Sequence, residues 1–366
     1  MRRIFFWTHF AIGLVAALFI FVMSVTGVLL AFEKQITAGA RNASITAPEG
    51  AAPLGYDQIF AAAEAQGAGP GHQLVLPSDP GAAVRLSKGR RDVTWLNPYD
   101  GSELAEPGIS AVFHRIEVIH RWFALGGNRT DTGAALMAAA NVVFAALLVS
   151  GVVLWWPKRW SWPQVRQRIS FRKGLPTAQA RNFNWHHVFS FWAFVPLIAI
   201  ILSGVMISYP AISRPIYEAL GSGAPQSGQG DPSAGPANGA PLPLATLATQ
   251  VAADAGRWNT LTLHWPGEGA KRVQFTIDRG NGIAPATQDT LRVARDGSSV
   301  DVLPPVPTNA RFFVRFLHTG EVYGVIGQAV AGLASLAAAF LVYTGVMLGI
   351  GRLRRMMRLT RRPAEG

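Results

Sequence analysis

Apolar positions along the chain gather into four long runs, separated by two mixed polar segments and one short basic one. Residues 4–32, 132–157, 182–213 and 322–351 contain no Asp, Glu, Lys or Arg. A helix needs about 20 apolar residues to cross a hydrocarbon core of roughly 30 Å, so each run predicts a transmembrane helix. The first run follows Met1-Arg2-Arg3, as a secretory signal would. Its apolar part exceeds the roughly 7–15 residues of a signal core, and no small-x-small cleavage site follows, so it reads as a retained helix.

The segments between the runs change period. Residues 54–66 read as a short amphipathic helix, followed by alternating strand patterns at 73–76, 83–87 and 92–96 and the turn Asn97-Pro98-Tyr99-Asp100-Gly101. The later segment opens with a Gly-, Ser-, Pro- and Ala-rich stretch at 221–243, a linker by composition. It continues with a helix near 244–255 and strands near 260–265, 272–278 and 290–294. The expected organisation is transmembrane helix 1 (1–36), a first small α+β module (37–112), helix 2 with an extension (113–157) and a basic loop (158–182). Helix 3 (183–213), a linker (214–243), a second α+β module (244–312), helix 4 (313–351) and a basic tail (352–366) complete it.

Charge orients this arrangement. Only 15% of residues are charged, against roughly 25% in soluble domains. The net charge is +12, and fifteen of the 33 Lys and Arg lie at positions 2–3, in the loop 158–181 and in the tail 352–362. The positive-inside rule places those segments in the cytoplasm, and both α+β modules then face the periplasm of a bacterium. The basic tail reads as an anchor on anionic membrane lipid rather than as a nucleic-acid site. Cysteine is absent, which excludes disulfides, thiolate zinc, iron–sulfur clusters and covalently attached c-type haem.

A repeat organises the runs. Each contains a hydroxyl residue, Gly and Val: Thr26-Gly27-Val28, Ser150-Gly151-Val152, Ser203-Gly204-Val205 and Thr344-Gly345-Val346. Small residues of this kind let membrane helices approach closely. The interval from His9 to Gly27 equals that from His186 to Gly204. It amounts to a whole number of α-helical turns, which puts each His on the face of its Gly. Helices 1 and 3 are then equivalent, as are 2 and 4, in two halves related by a pseudo-two-fold axis along the membrane normal. That axis sets His9 opposite His186, and His120 opposite His318. Facing imidazoles between packed helices suit the axial ligation of non-covalent, b-type haem, one near each membrane face.

An isolated interfacial histidine is ordinarily a tolerated polar group; four at repeat-equivalent places are not so easily dismissed. His187 is an alternative to His186, and His114 an alternative to His120. Arg115, Arg121, Arg311 and Arg315 flank the outer histidines and are candidates for pairing with haem propionates or an anionic substrate, with snorkelling as the ordinary alternative. The tryptophans at run ends form the expected aromatic belt, and Met206 and Met347 read as packing. His72 and His264 read as surface residues of the modules.

The chain resembles the PepSY-associated transmembrane family, which includes iron-regulated inner-membrane proteins and ferric-siderophore reductases. The resemblance rests on His9-Phe10-Ala11-Ile12-Gly13, Ile119-His120-Arg121-Trp122, Ser150-Gly151-Val152 with Leu154-Trp155-Trp156-Pro157, Trp185-His186-His187-Val188 with Phe191-Trp192, and Leu317-His318-Thr319-Gly320. It implies a helical bundle holding two b-type haems, through His9 and His186 and through His120 and His318, with PepSY modules in the periplasm. It also implies electron transfer outward to a ferric siderophore or other ferric chelate. The family often has Gly where Ser190 stands, a mild departure. The basic loop is too short for a nucleotide-binding domain, so a separate reductase or a membrane quinol is the expected donor. The rival expectations are an electron-carrier subunit serving another periplasmic acceptor, and a haem-free protein that binds or inhibits a partner through its PepSY modules.

Overall fold

The computed structural model describes residues 2–89, 92–221, 239–280, 288–303 and 310–360. Most of the expected linker, and Arg361 and Arg362 of the basic tail, lie outside the described residues. The described residues fall into two compact units: a helical one within the ranges 1–33, 112–216 and 314–366, and a sheet one within 34–111 and 217–313.

In chain order the helices are α1 (Arg2–Leu30), α2 (Glu33–Ala43), α3 (Tyr56–Ala65), α4 (Gly108–Trp122), α5 (Asp131–Trp155) and α6 (Trp162–Ile169). They continue with α7 (Ala178–Trp192), α8 (Phe194–Ser208), α9 (Pro210–Ala219), α10 (Leu244–Asp254), α11 (Ala310–Thr319) and α12 (Gly324–Thr360). The strands are β1 (His72–Pro77), β2 (Val84–Lys88), β3 (Asp92–Leu96), β4 (Glu103–Leu104), β5 (Thr260–His264), β6 (Arg272–Asp278), β7 (Gln288–Ala294) and β8 (Val300–Leu303).

Three helices, α1, α5 and the stretch Glu321–Met357 that contains most of α12, are each long and apolar enough to cross a membrane. The third apolar run is not one straight helix, as its composition suggested. It is the pair α7 and α8, bent by 68° at Ala193. Pro196 explains the break: it has no N–H for the Trp192 carbonyl, and its ring crowds that carbonyl. The molecule is thus a multi-pass membrane protein with three helices able to span and a bent apolar pair, four spans at most among the described residues. Helix α1 packs against α12 and α5, α12 against α7 and α8, and α5 against α8. Small side chains make the centre: Ala193, Ala334, Ala337 and Ala338 cluster with Leu197, Ile201 and Leu341, which is how helices come close where lipid offers no hydrophobic drive.

The second apolar run is also preceded by a distinct helix rather than a continuous extension. Helix α4 ends at Trp122, and α5 starts only at Asp131, capped by Thr130 Oγ1, which accepts from Gly133 N. Helix α11 is likewise separated from α12 by a short 3-10 turn, Glu321–Tyr323. Gly320 opens that turn at φ 78°, and a Cβ there would fall 2.3 Å from the Gly327 carbonyl oxygen, so no larger residue fits.

Within the sheet unit, the two α+β segments do not stand apart. All eight strands form one antiparallel sheet in the order β4-β3-β2-β1-β5-β6-β7-β8. The join is β1 with β5, in register from Gln73 opposite His264 to Pro77 opposite Thr260. Each four-stranded half alone would expose the backbone groups of that edge, and pairing the two edges satisfies both. One core serves the whole: Leu74, Leu76, Leu261, Leu263, Phe275 and Ile277 from the strands meet Ile59, Phe60, Leu247 and Val251 from α3 and α10. The turn Asp100-Gly101-Ser102 recurs as Asp296-Gly297-Ser298. In each, the Asp Oδ1 accepts from the Ser N–H and O–H, at 2.9 and 2.6 Å in the first and 3.0 and 2.6 Å in the second.

Candidate functional site: four histidines, four hydroxyls

Four histidines of the helical unit, His9, His120, His186 and His318, each reach the hydroxyl of a neighbouring helix. His9 Nδ1 on α1 lies 2.8 Å from Ser150 Oγ on α5. His120 Nδ1 on α4 lies 2.8 Å from Thr26 Oγ1 on α1. His186 Nδ1 on α7 lies 2.8 Å from Thr344 Oγ1 on α12. His318 Nδ1 on α11 lies 3.2 Å from Ser203 Oγ on α8 and 2.8 Å from the Ile200 carbonyl oxygen. The two sets of bonds match: α1 gives His9 to α5 and receives His120 from α4, and the bent pair gives His186 to α12 and receives His318 from α11.

The direction of these bonds follows from where the hydroxyl protons go. Thr26, Ser150, Ser203 and Thr344 each donate to the carbonyl four residues earlier, at 2.6, 2.8, 2.7 and 2.8 Å. A hydroxyl has one proton to give, so each oxygen accepts from the imidazole. That fixes the proton of all four rings on Nδ1 and leaves the lone pair on Nε2, the nitrogen free to bind a metal.

The glycine after each hydroxyl has its own task. A Cβ built on Gly27 would lie 3.5 Å from His120 Cε1, on Gly151 3.8 Å from His9 Cε1, on Gly204 3.2 Å from His318 Cε1 and on Gly345 3.5 Å from His186 Cε1. Each ring therefore rests on bare backbone. The four motifs are more than a packing device: the hydroxyl holds the imidazole and the glycine seats it. Sequence reasoning found these motifs but not the partners of Thr26, Ser150, Ser203 and Thr344. The available signal was the match of four motifs to four histidines.

The structure brings His120 and His318 together, with ring centroids 6.3 Å apart and planes at 56°. Two imidazole nitrogens about 2.0 Å on either side of one metal ion would set ring centres about 6.2 Å apart, so this separation suits axial ligation of haem iron. His9 and His186 lie within electrostatic range of one another. The alternatives sit elsewhere. His114 is exposed on α4, and His187 turns its Nδ1 to its own helix, at the Phe183 carbonyl, 2.9 Å away.

Of the flanking arginines, Arg121 is within electrostatic range of His120 while its guanidinium is held by Glu117 at 2.7 Å and lies over Trp122. Arg115 and Arg315 are exposed, and Arg311 lies over the Tyr217 ring at 5.9 Å. Among the described residues, no group of three or more His, Asp or Glu side chains is disposed to hold a bare metal ion. In the sheet unit, His264 is not the free surface residue its position suggested. Its Nε2 meets Thr276 Oγ1 at 3.0 Å, and burial holds its pKa below the usual value.

No curated protein matches this chain. The family described as the PepSY-associated TM region matches residues 6–352, nearly the whole length. With that match over residues 6–352, on a chain whose apolar helices cross a membrane several times, the chain belongs to the PepSY-associated TM region family.

Proposed function

We propose that this protein is a di-haem oxidoreductase of the bacterial inner membrane. It takes electrons on the cytoplasmic side and delivers them to ferric siderophores or other ferric chelates in the periplasm. The observation that carries the reading is the set of four Nδ1–hydroxyl bonds, which present Nε2 lone pairs in two couples, one of them at a separation that suits a shared axial metal. His9 and His186 are the ligands of an inner site and His120 and His318 of an outer one. The matching bonds, α1 to α5 and α4 to α1 in one set, α7 to α12 and α11 to α8 in the other, support two halves related by a pseudo-two-fold axis. The basic loop and tail put the inner site on the cytoplasmic side by the positive-inside rule.

Bound haem iron supplies the one-electron chemistry. The chain's part is to hold and shield it. The imidazoles supply neutral nitrogen ligands, the hydroxyls fix the ring orientation, the glycines clear space beside each ring, and the apolar helices keep water away. A separate reductase or a quinol is the donor on the inner side. A ferric chelate that gains one electron becomes ferrous, which hard oxygen chelators hold less tightly, so iron is released.

The test is reoxidation. Purified protein is reduced anaerobically with a limiting amount of dithionite and mixed with a ferric siderophore in the presence of a ferrous-specific chromogenic chelator. The expected result is one ferrous ion formed per electron lost, with the oxidised spectrum restored. A reduced protein that ferric chelates leave unchanged, but that another acceptor reoxidises, would replace this reading with that of an electron carrier for a different partner.

A further inference from the structure

Two adjoining cavities lie at the end of the helical unit that carries the basic loop. The larger, about 660 Å³, is lined by Arg168, Arg172 and Arg355 together with His187, Phe183 and several amide side chains. The smaller, about 390 Å³, is lined by Arg2, Lys158 and Arg159 and shares Gln164 and Arg168 with the first. Six cations from three segments far apart in the sequence converge here. No carboxylate lines either cavity, and no Asp or Glu occurs anywhere in residues 132–213 or 322–357.

Basic residues that serve only to orient a membrane protein have no reason to converge; spread apart, each keeps its own hydration. Here several are pinned. Arg2 donates to the Leu154 and Trp156 carbonyls at 2.6 and 2.8 Å, Arg168 to the Trp155 carbonyl, and Arg355 to Gln179 Oε1 at 3.2 Å. Gathering like charges is unfavourable: burial and the nearby Arg2 charge hold the Arg168 guanidinium below its usual pKa. An anion with several charges and oxygens relieves that repulsion and satisfies the free guanidinium edges bidentately.

We propose that the joined cavities bind a phosphate ester carrying at least two negative charges. Lys158, Arg159 and Arg172 supply the charge. Phe183, packed against His187 with ring centroids 4.3 Å apart, supplies an aromatic wall. The phosphate belongs either to the headgroup of an anionic phospholipid or to a soluble nucleotide. The site adjoins His186 through His187, but its existence does not depend on haem.

The test uses the full-length protein in neutral detergent, with three probes: a fluorescent diphosphate lipid, flavin mononucleotide and inorganic phosphate. At least one of the first two should bind saturably, with inorganic phosphate competing and affinity falling as salt rises. Replacing Arg159 and Arg172 together by Gln should weaken binding about tenfold or more, whereas Arg354→Gln, outside both cavities, should change it less than about twofold. Lys158→Gln is the second variant should the double substitution disturb folding. Binding of the lipid alone makes this a structural lipid site; binding of the nucleotide alone makes it a docking site for a soluble donor. No saturable binding of either, or an equal loss in Arg354→Gln, overturns the proposal. Because the readout is ligand binding, it fails or succeeds separately from the haem reading.

Discussion

His186 and Thr344 are joined through Nδ1 and Oγ1 at 2.8 Å, and the direction of that bond is set because Thr344 gives its own proton to the Phe340 carbonyl. A residue in the last span thus decides which nitrogen of a ring in the third is free. The same relation recurs three times, with Ser or Thr as acceptor. The hydroxyl–glycine pair is therefore the unit that holds and seats an imidazole from a neighbouring helix.

Thr344→Val should test this directly, since Val keeps the shape and removes the acceptor. Outer partners of metal-bound histidines contribute about 10- to 100-fold in affinity, so the inner haem should be retained that much more weakly, with a shifted midpoint potential. Thr344→Ser should restore both. Haem-transfer kinetics to apomyoglobin and a spectroelectrochemical titration measure the two effects.

Single histidine substitutions should separate the sites. His9→Ala or His186→Ala should remove one haem per polypeptide and spare the other, while His120→Ala or His318→Ala should remove the other. A pyridine haemochrome assay counts them. Loss of both haems from one substitution in a protein that still folds, or of neither, would break the pairing.

Much of this was legible in the sequence, and the parts that were not share a cause. The four apolar runs and the strands near 73–76, 92–96 and 272–278 follow from local periodicity, and the structure places elements there. Pro196 sits inside the third run and breaks it, a local signal outweighed by the run's length. The join between β1 and β5 was hidden because it pairs strands from the two separate polar segments, with two apolar runs between them and no turn to connect them. The hydroxyl partners were hidden for the same reason. Ser203 and Thr344 look like helix-packing residues until the neighbouring helix is known to carry an imidazole at the same depth.

Gly101 should tolerate no side chain. It sits at φ 71°, and a Cβ there would come within 2.5 Å of the Ala62 side chain in α3. Gly101→Ala should destabilise the sheet unit by about 1–3 kcal/mol through backbone strain and that clash. Faster limited proteolysis within residues 56–104, with the helical spans unaffected, is the expected signature.

The sheet unit should also weaken in acid because of His264. Its folded pKa lies below the usual value through burial, so below about pH 6.5 the unfolded chain takes up a proton that the folded chain resists. Stability should therefore fall as pH drops through that range and be insensitive to His264 above it. The measurement is the pH dependence of the thermal midpoint in wild type minus that in His264→Gln. A difference that stays flat between pH 7.5 and 5.5 would contradict the assignment.

The most direct measurement is the haem content of the full-length protein purified from cells supplied with haem precursor, read together with its reduced spectrum. Two non-covalent haems per polypeptide, each with the sharp reduced band of paired imidazole ligands, is the result expected. A colourless protein that remains folded and takes up no added haem would contradict the account at its centre.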